Sequence, residues 1–489
     1  MKRSAEFDEE FSIQSLGAVG DLVTGSLHTL RHRESIIVVD AGLFQGKYET
    51  VSSNGKNRNN AETIKRFRKQ VNTILLTHAH VDHIGRWPLF YARGIKPTTI
   101  TTKMTKELMP IILNDSAKIQ KKGDKLYNCE DVERVMEYVK AVDLGKNVKI
   151  DNKHDHLKAN FIYNGHIPGS ASILIQKEGA RGGILFSGDI GREINPICGG
   201  WGEMAEAKPS DVPIKALWVE STSFDRHSVS FDEKYGLLVE NINQILSRGG
   251  SVVLPILSLQ RNQEITEMVA RAQDRGDIPG NCKIYKDAPL AQKFEELYID
   301  KAELFMTKRF GYDENFYQTL EQGQSRFDLQ NNVVISDNKE SVQLADILGR
   351  SGQKSIVLTG GGMCGFGRVR NYIDGAFGEN SNNGVILTCY QVEGTEGRQI
   401  VDQGKLINVQ TQQEGATVTQ LDIFSGHVSG ESDTFKFLER FNLSELDTVG
   451  IVHGSDENRR RLAEAFKNRG YAARVVLPDI NEVIKFNLN

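Results

Sequence analysis

Cysteine is scarce in this chain. Five are spread over 489 residues, at Cys129, Cys198, Cys282, Cys364 and Cys389, and no Cys-x-x-Cys pair occurs. An odd number at wide spacing argues against a disulfide framework and against a cysteine zinc site. Long apolar runs are missing too. No window approaches the roughly 18 apolar residues of a membrane span, and the opening MKRSAEFDEEF has no apolar signal core. A cytoplasmic, reducing home without membrane contact is the expectation. Charge of one sign is also lacking, since the formal net charge is only −4. A strongly basic chain would point to nucleic acid directly; here any such contact must come from local basic patches or from bound cations. Low-complexity tracts and repeats are absent.

What is present is ample apolar material, 39% of the residues. That exceeds what one core uses, because single cores stop growing near roughly 250–300 residues, so two domains are expected. The first 200 residues read as short strands broken by turns, among them SIIVVDAG (35–42), NTILLTH (72–78), NFIYNG (160–165) and GILFSGD (183–189). Helical stretches at 101–122 and 131–142 separate them. From about residue 225 strand and helix alternate: helix 231–250, strand 251–257, helix 260–275, strands 354–360 and 384–389. This pattern predicts a parallel-sheet α/β domain. The final stretch reads as strand TQLDIFSG, helix SGESDTFKFLERF, strand TVGIVHG and helix ENRRRLAEAF. The polar loop 52–60 reads as a mobile connection.

The sharpest signal is THAHVDHIGR, residues 77–86. In an extended segment residues i and i+2 point the same way. His78 and His80 can thus grip one ion, while the following turn swings Asp82 and His83 to a second. Imidazole and carboxylate suit Zn²⁺ or Mn²⁺. One loop cannot complete two metal shells, and His166, Asp189 and His453 each follow a strand where further ligands are needed.

This set resembles the metallo-β-lactamase superfamily, whose HxHxDH motif stands here without substitution and whose first motif matches Asp40 in VVDAGLFQG. The resemblance implies that His78, His80 and His166 hold one zinc, that Asp82, His83 and His453 hold the other, and that Asp189 bridges them. Asp40 would orient the ligand loop from behind. The later half resembles the β-CASP branch of RNA- and DNA-processing nucleases. Glu220 in LWVESTSFDRH matches its motif A, His427 in FSGHVSGES its motif B, and His453 its motif C. Histidine at motif C goes with RNA rather than DNA in that family. Motif A departs from the usual Tyr-Gly at Ser223-Phe224, and motif C carries Ser455 where Glu is common. Among these nucleases the chain looks most like the compact bacterial and archaeal members.

The resemblance implies an α/β protein with a four-layer αββα metallo-β-lactamase fold, split by an inserted β-CASP α/β domain. The first part would span 1–223, the insertion 224–409 and the second part 410–489, with a cleft between domains that admits a single strand. The activity implied is hydrolysis of single-stranded RNA through two Zn²⁺ or Mn²⁺ ions, leaving 5′-phosphate and 3′-hydroxyl ends. Asp82, Asp189, Glu220 and His427 would form the catalytic set, with His427 as general acid held in its tautomer by Glu220. The turn Gly360-Gly361-Gly362 and Arg261 are weaker candidates for phosphate contact. Basic clusters at 65–69 and 459–461 would steer the RNA backbone. A homodimer, a small-molecule metallo-hydrolase and a non-catalytic RNA-processing scaffold stay open as alternatives.

Overall fold

The computed structural model describes residues 10–49, 57–59, 64, 67, 71–120, 125–150, 156–195, 197–203, 209–304, 327, 329–391, 393–408, 412–421 and 423–489. The expected loop at 52–60, apart from residues 57–59, and the basic residues Lys65, Arg66, Arg68 and Lys69 lie outside the described residues. The chain passes through β1 (Glu10–Ser15), β2 (His28–His32), β3 (Ser35–Val39), β4 (Val71–Leu75), β5 (Thr98–Thr102) and β6 (Val139–Val142). There follow β7 (Asn147–Lys149), β8 (Leu157–Tyr163), β9 (Ala171–Lys177), β10 (Gly183–Phe186) and β11 (Ile214–Glu220). Next come β12 (Val252–Pro255), β13 (Lys283–Asp287), β14 (Asn332–Val334), β15 (Ser355–Thr359), β16 (Gly384–Leu387), β17 (Lys405–Ile407) and β18 (Glu414–Gln420). The last are β19 (Thr448–Val452), β20 (Arg474–Val476) and β21 (Val483–Asn487).

Among the described residues these strands form three seven-stranded sheets. The first has the order β21-β1-β2-β3-β4-β5-β6 and the second β20-β19-β11-β10-β9-β8-β7. Strand alternation explains how they stack. Ile37 and Val39 of β3, Phe161 of β8, Ile173 and Ile175 of β9 and Trp218 of β11 share one buried core. The intervening residues Leu174, Leu185 and Leu217 face the other way, into a second core with Phe435, Phe437, Leu462 and Phe466. Those four belong to the helices Gly430–Leu438 and Asp456–Arg469. Helix Lys103–Ile119 packs on β5 and β6. Strands buried on both faces read as unbroken apolar runs, and the layers are helix, sheet, sheet, helix.

The chain divides into two compact units, one of Met1–Ser228, Glu303–Thr307 and His427–Asn489, the other of Val229–Ala302 and Lys308–Gly426. The second unit holds the third sheet, order β14-β13-β15-β12-β16-β18-β17, parallel except for β17. Its two faces bury separate cores: Leu254, Ile356, Leu358 and Ile386 on one, Val253, Val357, Val385 and Leu387 on the other.

Two elements differ from the sequence reading. The helix expected over 131–142 runs only Cys129–Met136, started by the Asn128–Asp131 capping box, and the rest is β6. Val139 and Val142, three apart, suit one face of a helix, and pairing of β6 along β5 overrides that. The strand expected at TQLDIFSG is the end of β18, which stops at Gln420. Its pairing partner β16 ends at the Leu387–Gln420 pair, so the ladder runs out there. No helix of the described residues is long and apolar enough to cross a membrane.

Candidate metal centre

β4 ends at Leu75, and the chain stays extended to His80 before one helical turn, Val81–Ile84. His78 and His80 therefore project to one side, with His78 Nε2 3.1 Å from His80 Nδ1. His166, in the loop after β8, brings its Nε2 to 3.1 Å from the same His80 nitrogen. The helical turn carries Asp82 and His83 away from this trio. His83 Nε2 lies 3.3 Å from Nε2 of His453, the residue that follows β19, and His453 Nε2 lies 3.5 Å from Asp82 Oδ2.

Asp189 stands between the two groups. Its Oδ2 is 3.6 Å from both His78 Nε2 and His166 Nε2, and its Oδ1 is 3.2 Å from His83 Nε2 and 3.6 Å from His453 Nε2. Each set, His78–His80–His166–Asp189 and Asp82–His83–His453, has its donor atoms within 4.8 Å of one another. Donors at tetrahedral positions about 2.1 Å from an ion would be roughly 3.4 Å apart, which these separations bracket. Asp189 Oδ1 is buried without a hydrogen-bond partner. Such an atom is costly unless a cation meets it. The donor set therefore fits divalent metal.

The surroundings fix three of the five rings. Asp40, at φ +58°, turns its carboxylate under the loop: Oδ1 accepts from Thr77 N at 2.8 Å and Oδ2 from Thr77 Oγ1 at 2.8 Å, while His83 Nδ1 lies 2.7 Å from Oδ2. Thr77 Oγ1 also lies 3.0 Å from His78 Nδ1, and Thr222 Oγ1 lies 2.8 Å from His453 Nδ1. These contacts leave Nε2 of all three histidines aimed at the centre, the usual way a protein orients metal-binding imidazoles. Gly42 allows the close approach of the two loops, for a Cβ there would sit 1.4 Å from Asp82 O. Ala41 N donates to His83 O at 2.7 Å and Ser26 N to Asp82 O at 2.9 Å.

Electrostatics suits the same role. Burial pushes His80 down to about 4 and His78 well below the usual histidine range, so both rings are neutral ligands at pH 7. Burial opposes charge on His83 and His453 as well. There Asp189, helped by Asp40 at His83 and Asp82 at His453, prevails and raises both. Asp82 falls to about 2: burial would raise it, but its hydrogen bond to His453 and the charge on His83 outweigh that.

Beside the centre, His427 Nδ1 lies 2.9 and 3.1 Å from the two oxygens of Glu220. Glu220 is buried and also accepts from Ile190 N at 2.6 Å and Thr222 N at 3.0 Å. The carboxylate is thus fixed, His427 donates through Nδ1, and Nε2 faces the centre, 3.9 Å from Asp189 Oδ2.

Other candidates lie elsewhere. Gly360, Gly361, Gly362 and Arg261 belong to the second unit. Gly360 N donates to Asp287 O at 3.4 Å, and Arg261 is buried and paired with Glu264. Arg459 is buried too, its guanidinium donating to the carbonyls of Ile451, Gly20 and Pro478. Arg460 and Arg461 pair with Asp456 and Glu457 one turn away. The cluster at 459–461 is therefore a helix clamp and two local ion pairs, not a free basic patch. Sequence reasoning passed over Thr77 and Thr222, although each adjoins a motif residue. It also passed over His28, which is buried against Ser15 Oγ at 2.8 Å and pushed down to about 3 by burial and the neighbouring His83 and His453. Nothing in the spacing around His28 marks it.

Comparison with known proteins agrees with this geometry. Residues 25–229 match the metallo-beta-lactamase superfamily, and residues 262–400 match the Beta-Casp domain. A ribonuclease of Thermus thermophilus is 28% identical over 451 residues, 92% of this chain and 94% of that one. A probable RNase of Methanocaldococcus jannaschii is 27% identical over 421 residues, 85% of this chain and 89% of that one. A solved structure, that of a protein of unknown function from Enterococcus faecalis V583, has a TM-score of 0.54 at 13% identity, covering 98% of this chain and 100% of that one. That last likeness is one of fold alone.

Proposed function

We propose that this chain, which belongs to the metallo-beta-lactamase superfamily and carries a Beta-Casp domain, is a ribonuclease that hydrolyses single-stranded RNA at a dinuclear zinc centre. The observation that carries the reading is the convergence of seven histidine and aspartate side chains into two donor groups sharing Asp189, with the His427–Glu220 pair alongside. The ribonucleases among its relatives support RNA as substrate.

His78, His80, His166 and Asp189 would hold one ion, and Asp82, His83, His453 and Asp189 the other. Ions bound there would supply Lewis-acid polarisation of the phosphate and water acidic enough to attack near neutral pH. Thr77, Asp40 and Thr222 hold the imidazoles in the tautomer that binds. His427 gives the proton on Nε2 to the departing 3′ oxygen, so the products carry 5′-phosphate and 3′-hydroxyl ends. Glu220 keeps Nδ1 protonated and stabilises the imidazolium that His427 must be before it donates.

The test is cleavage of end-labelled single-stranded RNA beside the matching DNA, with Zn²⁺ or Mn²⁺ and His80→Ala as control. RNA cut by the wild type and spared by the variant is the expected result. Two bound metals without RNA cleavage would overturn the reading in favour of a small-molecule hydrolase.

A further inference from the structure

At the carboxyl end of the third sheet, three loops are tied together. Gly362, after β15, packs its Cα against the chain after β12: a Cβ there would stand 3.0 Å from Leu257 N and 3.1 Å from Leu257 Cδ2. Gly362 O accepts from Gln391 Nε2 at 2.8 Å, in the loop after β16. The tip of the middle loop is pinned in its own right. Cys364 N donates to Gly361 O at 2.8 Å, Arg370 Nη1 to Cys364 O at 3.2 Å, and Arg368 to Ile335 O and Ser336 O at 2.9 Å. Arg368 is also paired with Asp287.

On this fixed backbone three apolar side chains stand in solvent: Phe366 at 64% exposure, Tyr390 at 43% and Leu257 at 40%. A single exposed apolar residue needs no explanation, but a group on adjoining loops does. Phe366 is flanked by Gly365 and Gly367. A Cβ on Gly365 would meet nothing within 4 Å, and one on Gly367 only Gly361, at 3.7 Å or beyond. Phe366 thus stands between two glycines with open space around them, and its ring is largely in solvent. The arginines of the loops are engaged with carboxylates, Arg370 with Asp374 and Glu396, and Arg398 with Asp402. What Phe366 offers is therefore an exposed aromatic ring rather than charge. In parallel α/β sheets this end of the strands is where ligands bind.

We infer that Phe366, on a loop tied to the one that carries Tyr390, is a stacking platform for the bases of single-stranded RNA. The inference rests on the ribonuclease reading and deepens it. Stacking on an aromatic ring contributes about 1–3 kcal/mol per base, roughly 5- to 150-fold, and tolerates any sequence. In the metal-loaded full chain, Phe366→Ala is expected to raise KM for RNA about tenfold and leave kcat within about twofold. Phe366→Trp is expected to keep the wild-type KM. An abasic ribose-phosphate oligomer, which cannot stack, is expected to inhibit the wild type and Phe366→Ala equally well. The KM effect is expected to persist between low and high salt, because no ion pair is lost.

An unchanged KM for Phe366→Ala, in a chain that still cuts RNA, would overturn the platform and leave the ribonuclease reading standing. An equal loss of abasic-oligomer affinity would also overturn it, pointing to loop positioning instead. A wild-type chain that binds metal yet neither binds nor cuts RNA would remove both readings together.

Discussion

Replacing His427 by alanine tests the proton-transfer step directly. The imidazole is one-sixth exposed, with Nδ1 on Glu220 and Nε2 towards Asp189. It is not among the seven donors of the two metal groups, so both ions should still bind. Glu220 keeps two backbone donors, Ile190 N and Thr222 N, so the stability lost is about 1.5–3 kcal/mol, that of one hydrogen bond to a charged group. General acid catalysis contributes roughly 10²–10⁴ in rate, or about 2.7–5.4 kcal/mol of barrier. The assay is single-turnover cleavage of an end-labelled oligoribonucleotide at saturating protein, with metal content measured on the same sample. A second substrate carries sulfur in place of the 3′ bridging oxygen. A thiolate departs without a proton, so the variant should cut that substrate at close to the wild-type rate. Equal impairment on the oxygen and sulfur substrates would refute the role of His427 as acid, as would loss of metal from the variant.

Other expectations follow from the same geometry. Thr77→Val keeps the shape but removes the hydroxyl between Asp40 and His78; metal affinity should fall about 10- to 100-fold, read by competition with a chromophoric chelator. Gly42→Ala places a methyl on Asp82 O, a backbone atom that cannot yield cheaply; the purified variant should carry less than half the wild-type metal, measured by elemental analysis, or fail to fold. In the metal-free chain His83 and His453 keep their protons to higher pH than a free imidazole, held by Asp189, Asp40 and Asp82, whereas burial makes His78 and His80 lose theirs at lower pH. Metal must displace those protons, so the second group should gain affinity as pH rises above about 6.5, while the first fills already at lower pH. Titration with one and two equivalents of Co²⁺, followed by its visible absorption at pH 6 and 8, checks the order; simultaneous filling at both pH values would contradict it. Chelation should abolish cleavage and lower the thermal midpoint, because metal binds the folded chain alone.

Much of this was legible in the sequence because the relevant information is local. The apolar runs of β3, β8 and β10 mark doubly buried strands, and the ligand loop announces itself through three histidines in six positions. The αββα layering and the inserted α/β unit were legible through the resemblance those motifs carry. What escaped depends on contacts distant in sequence. β6 is a strand because β5 offers it an edge, not because VKAV excludes a helix. Arg459 looked like part of a basic patch, yet three carbonyls from separate segments bury it. The orienting hydroxyls of Thr77 and Thr222 have no pattern of their own; only their distances to His78 and His453 give them a role.

The donors proposed for the second ion come from both ends of the first unit, Asp82 and His83 early and His453 late, with the whole second unit encoded between them. A growing chain therefore has its first histidines long before it has a complete site. Between Asp189 and His453 lie roughly 260 residues, which at about 5–20 residues per second take roughly 13 to 52 s to make. Throughout that interval the nascent chain lacks His453, and for most of it His427 as well. On the proposed reading the nascent chain would stay inert towards the messenger from which it is being translated, and competence would arrive only with the last tenth of synthesis.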